Sequence, residues 1–500
     1  MNLVDKYKLN VDDVTVDVKI VGGEGQTFEY VVEFHKLKEG TDALVQEVKE
    51  ELVEHIQLSS IEVLDAKSVL VIKERFREQA DKLIQEKLPH IRPQLKKYIV
   101  GTLIHEMLGL GSIEVLLGDE HLEEIVINSA KEPLYVYHKK YKWLQTNLKI
   151  TDESKILNFS HIIARRVGRQ INTLNPLLDA HLISGDRANA VLFPISNKGN
   201  LITIRKFARD PWTVVDFVKN GTCSSYIFAL LWTAIQYEMN LLITGGTAAG
   251  KTSMLNVLSA FFPPAQRIVS IEDTREIQLP KFLHWVPMTT RIANAEGKGA
   301  VAMLDLLVNS LRMRPDRIIV GEIRRKREAE VMFEGMNTGH SVYSTIHADS
   351  VRQTMRRLLN PPIDLPELLL ESLDLNLVMF RDRKSGKRGV HQLGEFIVKE
   401  NNGVAHIEPN VIYEWDPKTN KQKFLLKTSR FYKNLAKHTA LTMKELEFEI
   451  KKKEKIVDWI VKHEIKGVDD VGKIVKEYYL APDMVMKVVN ANKRPVDLLK

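Results

Sequence analysis

The spacing of apolar and polar residues changes along the chain, and so do the elements that it predicts. Near the amino terminus, VTVDVKIV and TFEYVVEFHKL have strand-like alternation. Between residues 74 and 109 the apolar residues recur at helical spacing, which prolines 89 and 93 interrupt. A helix around 152–169 is then surrounded by predicted short strands, namely HLEEIVIN, PLYVYHKK, KWLQTNLKI, RANAVLFPI and LITIRKF. This part of the chain is expected to be α+β.

A different pattern begins near residue 216. SYIFALLWTAIQYEM predicts a helix, and the segment Leu241–Thr252, LLITGGTAAGKT, predicts a buried strand that enters a glycine-rich turn. Three later segments each contain another apolar strand, namely RIVSIEDTREIQL, RPDRIIVGEIRR and NTGHSVYSTIHADS. Strands that are apolar throughout are typical of a parallel sheet with both faces covered, so the predicted fold class is α/β.

Length and composition are those of an ordinary multidomain globular protein, with 500 residues, 44% of them hydrophobic and 27% charged. We expect five segments. They are an α+β accessory region at 1–70, a helical segment at 71–110, a small α+β domain at 111–215, a P-loop domain at 216–400 and a basic, mostly helical tail at 401–500.

Charge and cysteine content limit the classes of function. The last hundred residues hold 20 Lys and Arg against 14 Asp and Glu, which is most of the net charge of +7. Such a tail could bind nucleic acid, an anionic membrane surface or an acidic partner. The Asp and Glu residues interleaved with its lysines are also typical of a solvated helical face. A single cysteine, Cys223, excludes an internal disulfide framework and a cysteine-rich zinc site. With no run of about 18 apolar residues, we expect a protein that is cytosolic or peripheral to a membrane.

The glycine-rich turn fits the phosphate-binding pattern G-x-x-x-x-G-K-[ST]. Its residues are Gly245, Gly246, Thr247, Ala248, Ala249, Gly250, Lys251 and Thr252. Backbone N–H groups of such a loop and the following helix N-terminus favour phosphate. Lys251 is expected to reach the β and γ phosphates, and Thr252 to hold Mg²⁺. The loop therefore predicts a nucleotide site.

Acidic residues follow two of the later strands. Because the carboxyl ends of parallel strands meet at one edge, Glu272, Asp273 and Glu322 are expected beside the phosphates. Glu322 is the better general-base candidate, whereas Glu272 and Asp273 can hold Mg²⁺ through water. A helix N-cap is the alternative role for an isolated Glu-Asp pair. His340 and His347 flank the third strand, and without further context each is interpreted as a structural core or surface histidine.

Taken in order, these motifs resemble the type II/type IV secretion ATPase family. The phosphate loop, SIEDTREI, IIVGEIR and TGHSVYSTIHA recur at compatible spacings, and the resemblance covers about residues 100–400. It implies a RecA-like ATPase domain preceded by a small α+β (PAS-like) domain and helical segments, with ATP and Mg²⁺ as cofactors. It also implies that Glu322 is the catalytic glutamate, that Glu272 belongs to an acidic box, and that His340 and His347 sense or position the γ-phosphate. The tail after residue 430 looks most like that of archaeal members.

The same resemblance implies the surroundings of the protein. Members form a hexameric ring with nucleotide between the small domain and the ATPase domain, and the ring works on a polytopic membrane platform protein. The expected location is cytoplasmic, at the inner face of the cell membrane, with no specific nucleic acid as partner. Arg187 and Arg205 are the first candidates for phosphate-contacting arginines. Further candidates are Arg291, Arg312 and Arg324.

Three functions remain open on the sequence. The leading hypothesis is a motor ATPase of a pilus, an archaellum-type filament or a secretion machine. A nucleic-acid translocase or DNA-transfer ATPase would use the same core together with the basic tail. A P-loop switch without a motor role is disfavoured, because two acidic strand ends suit hydrolysis better than binding alone.

Overall fold

The computed structural model divides the chain into two compact units. The first comprises Met1–Arg209 with Asn294–Lys298, and the second comprises Asp210–Ala293 with Gly299–Lys500. The structure describes residues 2–23, 27–35, 39–55, 66–182, 185–207, 211–291, 293, 297–382, 386–401, 404–416, 419, 421–425, 430–495 and 498–499. The structure separates the chain into two units, so its division into five domains stays a prediction.

In its described residues, the first unit has a nine-stranded sheet and five helices. Its strands are β1 (Asn2–Val11), β2 (Val14–Gly22), β3 (Glu29–Glu33), β4 (Leu122–Ile127), β5 (Tyr135–His138), β6 (Lys142–Thr146), β7 (Leu177–His181), β8 (Arg187–Val191) and β9 (Leu201–Arg205). Its helices are α1 (Glu39–His55), α2 (Ala66–Lys87), α3 (Pro93–Leu108), α4 (Ile113–Gly118) and α5 (Glu153–Arg166). The strand order is β1-β2-β3-β6-β5-β4-β9-β8-β7.

One sheet joins the amino-terminal strands to the small domain that the sequence predicts. The pairing of β3 with β6 is parallel, with Glu29 opposite Gln145, whereas every other pairing in this sheet is antiparallel. Asp152 begins α5 by accepting a hydrogen bond from the Ser154 amide at 2.8 Å. The α+β prediction for this region is confirmed in its elements, whereas the PAS-like label stays a prediction.

The second unit begins with helices and strands around the phosphate loop. They are α6 (Val214–Lys219), α7 (Ser225–Gln236), β10 (Leu241–Gly245), α8 (Lys251–Ser259), β11 (Arg267–Glu272), β12 (His284–Thr289), α9 (Met303–Ser310), β13 (Arg317–Val320), α10 (Lys326–Asn337) and β14 (Ser341–Ile346). Strands β10, β13 and β14 are buried along their whole length, as the continuous apolar runs predict.

The rest of the unit adds an antiparallel extension and a helical end. Its elements are α11 (Val351–Leu359), a 3₁₀ helix (Glu367–Ser372), β15 (Leu375–Arg381), β16 (Arg388–Asn401), β17 (Val404–Asp416), β18 (Lys421–Phe424), α12 (Arg430–Thr439), α13 (Met443–Lys462), α14 (Val468–Leu480) and α15 (Pro482–Asn490). The sheet order is β12-β11-β13-β14-β10-β15-β16-β17-β18, parallel from β12 to β15 and antiparallel beyond. The α/β prediction is confirmed, with a mixed rather than purely parallel sheet.

The carboxyl-terminal helices belong to the same core as the phosphate-loop helix. Buried apolar residues of α13 and α14 cluster with those of α7 and α8. Trp232 donates to the Tyr479 hydroxyl at 3.0 Å, and that hydroxyl donates to the Phe261 carbonyl at 2.9 Å. Lys453 lies fully buried in this contact and donates to Gln236 Oε1 at 2.6 Å. These helices are therefore a packed part of the second unit.

Candidate functional site

The phosphate loop connects β10 to α8 and has the backbone that its glycines allow. Gly250 (φ 93°) and Ala248 (φ 58°) lie in the left-handed region. At Gly245, a Cβ would lie 2.5 Å from the carbonyl oxygen of Met379, so no larger residue fits there. Backbone N–H groups next to left-handed residues can converge on an anion, and the following helix N-terminus adds its positive end.

Lys251 occupies the centre of the loop. Its ammonium donates to the carbonyls of Gly245 at 3.1 Å and Gly246 at 3.2 Å, and it lies 3.2 Å from His347 Nδ1. Burial lowers the pKa of Lys251, and the negative charge of Glu322 opposes that shift. The lysine is thus held in place before any phosphate binds.

The acidic strand ends meet at the edge of the sheet that carries the loop. The amide of Gly321, after β13, donates to the Ile271 carbonyl of β11 at 2.8 Å. The amide of Ile323 donates to the Thr345 carbonyl of β14 at 3.0 Å. Because these strands are parallel and in register, Glu272, Glu322 and His347 are brought to one edge.

A continuous line of polar contacts runs from Lys251 to Asp273. His347 Nε2 lies 3.0 Å from Glu322 Oε1, and Arg324 donates to Glu322 Oε2 at 2.7 Å. A second nitrogen of Arg324 donates to Asp273 Oδ2 at 2.8 Å. Lys251 can only donate, so Nδ1 of His347 accepts and Nε2 carries the proton that faces Glu322.

The surroundings of His347 favour its neutral form. Burial lowers the pKa of His347, and the positive charge of Lys251 lowers it further. A neutral ring with this tautomer links the loop lysine to the proposed base in a single orientation.

The contacts of Glu272 differ from those of Glu322. Its side chain is buried, and Oε1 accepts from the amides of Glu276 at 2.9 Å and Ile277 at 3.1 Å. Oε2 is buried with no hydrogen-bond partner among the residues that the structure describes. Burial raises the pKa of Glu272 to about 7. The carboxyl group thus organises the turn after β11, and a direct catalytic role for it stays a prediction.

His340 lies at the other end of the strand from His347. It precedes β14, and its Nδ1 lies 3.2 Å from the Thr338 hydroxyl and 3.3 Å from the Gly335 carbonyl. The six residues of β14 separate the two histidines by roughly 20 Å. The structure therefore does not bring them together, and a contact of His340 with nucleotide stays a prediction.

The candidate arginines of the first unit are neighbours. Arg187 and Arg205 are directly opposite each other on β8 and β9, and both are exposed. Arg187 donates a bidentate pair of hydrogen bonds to the Asp179 carboxylate, at 3.0 Å and 2.7 Å. Contact of either arginine with nucleotide stays a prediction.

Among the candidate arginines of the second unit, Arg324 is the one that contacts the predicted acids. Arg291 donates to the Gly299 carbonyl at 2.6 Å, and Arg312 is exposed. Asp349 is a residue that sequence reasoning missed, since a Cβ at Gly246 would lie 3.1 Å from its Oδ1. The feature of the sequence that could have pointed to Asp349 is its position two residues after His347.

The oxygen donors beside the loop suit Mg²⁺. Thr252 lies in the first turn of α8, and Asp273 follows β11. Within the described ranges, no group of three or more His, Cys, Asp or Glu side chains could hold a metal by itself. Mg²⁺ commonly takes one or two protein oxygens together with phosphates and water, so these residues fit it. Asp273 already contacts Arg324 and the Thr290 hydroxyl, so its contact with the ion would run through water or follow a movement of Arg324.

Fold and site together define an α/β P-loop protein with acidic residues beside the loop. Residues 183–380 match the family model described as "Type II/IV secretion system protein". The chain is 31% identical over 273 residues to the type IV secretion system protein PtlH of Bordetella pertussis, covering 47% of this chain and 80% of PtlH. The chain belongs to the type II/IV secretion system protein family.

Two further relatives have different names. An uncharacterized protein of Methanocaldococcus jannaschii, MJ0900, is 32% identical over 397 residues, which is 78% of this chain and 71% of that protein. A protein of Mycobacterium tuberculosis named for conjugal transfer is 29% identical over 261 residues, which is 51% of this chain and 73% of that protein. None of the helices in the described ranges is both long and apolar enough to cross a membrane.

Proposed function

We propose that the chain is the ATP-hydrolysing motor of a type IV pilus, an archaellum or a type II/IV secretion machine. The observation that carries the proposal is the line of contacts from Lys251 through His347 to Glu322, which joins a phosphate loop to a carboxylate beside it. A loop that only binds nucleotide does not need a base held in this position, whereas hydrolysis does.

The strand order supports a RecA-like P-loop domain. The loop strand β10 lies between β14 and β15, and β13, which ends two residues before Glu322, lies one strand beyond β14. A ligand at the loop would therefore place its terminal phosphate over the ends of β14 and β13. In this arrangement Glu322 can accept a proton from the attacking water, while Lys251 stabilises the charge that develops on the phosphates.

When bound, Mg²⁺ would supply the remaining stabilisation of the negative charge on the phosphates. We assign Thr252 as its direct protein contact and Asp273 as a contact through water. Arg324 contacts both Asp273 and Glu322, which makes it the first candidate of the second unit for an arginine that contacts the phosphates.

We further propose that the protein works as a homo-oligomeric ring, hexameric as in the family, at the inner face of the cell membrane. The ring would pass its motion to a polytopic membrane platform protein, and filament assembly or protein secretion would follow. A protein whose site needs its neighbours loses activity when the ring dissociates, so turnover per subunit should rise with protein concentration.

The direct test is phosphate release from ATP by the purified protein, measured from nanomolar to micromolar subunit concentration alongside light scattering. Turnover that rises together with the formed ring supports the motor. ATP binding without turnover would make the protein a nucleotide-binding switch, and turnover by a monomer at all concentrations would remove the ring from the proposal.

A DNA-transfer ATPase is the second candidate, favoured by the relative named for conjugal transfer. The basic tail, with 20 Lys and Arg against 14 Asp and Glu, offers phosphate contacts. Nucleic-acid binding through such contacts falls steeply with salt. Filter binding of a DNA duplex at 50 and 200 mM salt, together with ATP turnover measured with and without that duplex, decides between the candidates. The pilus or secretion motor should show no stimulation of turnover by DNA at either salt.

A further inference from the structure

Arg388 lies beside the phosphate loop, although no motif in the sequence points to it. It is the first residue of β16, in the same unit as the loop. A Cβ at Gly250, the N-cap residue of α8, would lie 3.8 Å from the Cδ of Arg388. The guanidinium, one bond further along the side chain, is therefore close to the N-terminus of the loop helix.

The backbone around Arg388 is held in place. The amide of Val390 donates to the Thr222 carbonyl at 2.8 Å. A Cβ at Gly389 would lie 2.7 Å from the ring of Phe380, so the strand packs tightly there. Since side chains alternate along a strand, Arg388 points to the same face as Val390, which is buried in the core shared with α8.

The Arg388 side chain has an unsatisfied hydrogen-bond donor close to other positive charges. Nε of Arg388 is buried and has no hydrogen-bond partner within the described part of the chain. The N-terminus of α8 carries the positive end of the helix dipole, and Lys251 adds an ammonium to the same turn. A buried cationic donor next to a helix N-terminus is unfavourable by itself and becomes favourable when an anion binds between them.

We infer that Arg388 binds the phosphates that ATP and ADP share. This inference rests on the proposed nucleotide binding at the loop and assigns one more residue to it. A guanidinium offers several N–H donors in a planar fork, which matches phosphate oxygens.

The strand order separates Arg388 from the hydrolytic side of the loop. His347 and Glu322 follow β14 and β13, on one side of β10, whereas β15 and β16 lie on the other side. A nucleotide with its γ-phosphate toward Glu322 leaves its inner phosphates toward β15 and β16. Arg388 therefore serves binding of either nucleotide and is not a sensor of the γ-phosphate.

The experiment compares nucleotide affinity in full-length variants. Arg388→Ala, Arg388→Gln and Arg388→Lys are titrated with ATP and ADP in the presence of Mg²⁺, with displacement of a fluorescent ADP analogue as the signal. Arg327→Ala is the matched control, because it removes an exposed arginine of the same unit that pairs with Glu330 on α10. Thermal unfolding confirms that each variant is folded, and Arg388→Gln keeps the aliphatic stem and a polar end group if Arg388→Ala is unstable.

We expect Kd for ATP and for ADP to rise by the same factor, about 10- to 100-fold in Arg388→Ala and Arg388→Gln, as for loss of a charged hydrogen bond. Arg388→Lys should lose less, and KM for ATP should rise more than kcat falls. An ADP affinity within twofold of the native protein in a folded Arg388→Gln would overturn the inference. A loss confined to ATP would also overturn it, since that result assigns the residue to the γ-phosphate. Failure of the native protein to bind ADP would instead contradict the proposed function itself.

Discussion

His347 Nε2 lies 3.0 Å from Glu322 Oε1, so the residue after β14 contacts the residue that follows β13. The other ring nitrogen faces the ammonium of Lys251 at 3.2 Å. A single side chain thus connects the group that binds phosphate with the proposed base. Each of the three residues is therefore expected to affect a different part of the reaction.

Lys251→Ala should abolish ATP hydrolysis and weaken nucleotide binding, because the positive charge facing the β and γ phosphates is removed. Turnover should fall below detection, and Kd for ATP should rise by about tenfold or more. Lys281→Ala, which removes an exposed lysine that lies 3.4 Å from Asp469, is the control. Native turnover in Lys251→Ala would remove the loop from the active site.

Glu322→Gln should keep ATP bound while hydrolysis stops, since an amide fills the same space and cannot accept the proton from water. We expect turnover to fall by about 10² or more at saturating ATP, the usual contribution of a general base. Single-turnover phosphate release and ATP titration measure the two effects separately, with Glu334→Gln on the exposed face of α10 as the control. Turnover within a factor of two of native would transfer the role of base away from Glu322.

His347 should make turnover fall on the acidic side of its pH profile, which we call the acid limb. Burial and the charge of Lys251 lower its pKa, so the neutral ring persists to lower pH than in an ordinary histidine. Protonation removes the Nδ1 acceptor that faces Lys251, so turnover should stay level from pH 8 to about 6.5, the ordinary histidine pKa, and fall only below it. His347→Gln should show a lower plateau without that limb. The same limb in His347→Gln would assign it to another group.

Glu272 should make the protein less stable as pH rises. Burial raises its pKa to about 7 from the ordinary 4.5, so the folded protein binds the proton more tightly than the unfolded chain does. Stability is therefore lost as pH rises from 4.5 through 7, by up to about 3 kcal/mol. Thermal unfolding of native protein and Glu272→Gln at pH 5 and pH 8 measures this, without nucleotide. The native protein should lose stability relative to the variant at pH 8, and parallel behaviour of the two proteins would show that Glu272 does not titrate in this range.

Contact of Arg187 or Arg205 with nucleotide is a prediction from the sequence that substitution can test. Arg205→Ala should lower turnover by at least about 10²-fold at saturating ATP. This factor is smaller than the rate enhancement that an arginine supplied from outside a P-loop core can give. Arg187→Ala tests its neighbour on β8, and Arg165→Ala removes an exposed arginine at the end of α5 as the control. Unchanged turnover in both Arg187→Ala and Arg205→Ala would show that neither arginine takes part.

Several elements could not be predicted from local sequence. Strand β1 has a largely exposed pattern and pairs only with β2, so it lacks the apolar face that marks a strand. Strand β15 pairs with β10, which is far from it in the sequence, and such pairing leaves no periodic signal of its own. Strands β16 to β18 extend the sheet from β15 as consecutive antiparallel neighbours. By contrast, β10, β13 and β14 are buried on both faces and were therefore apparent as apolar runs.

By itself, the sequence determined the phosphate loop, because its glycines and Lys251 form a local pattern that needs no distant partner. It also placed Glu272 and Glu322 at strand ends, since a parallel sheet brings such ends together. Only the tertiary structure decided that Glu272 turns to backbone amides while Glu322 faces His347, and that His340 lies a strand length away. It alone brought Arg388 to the loop, because β16 reaches that position through sheet pairing with β15, and the order of strands in a sheet is a property of the whole fold.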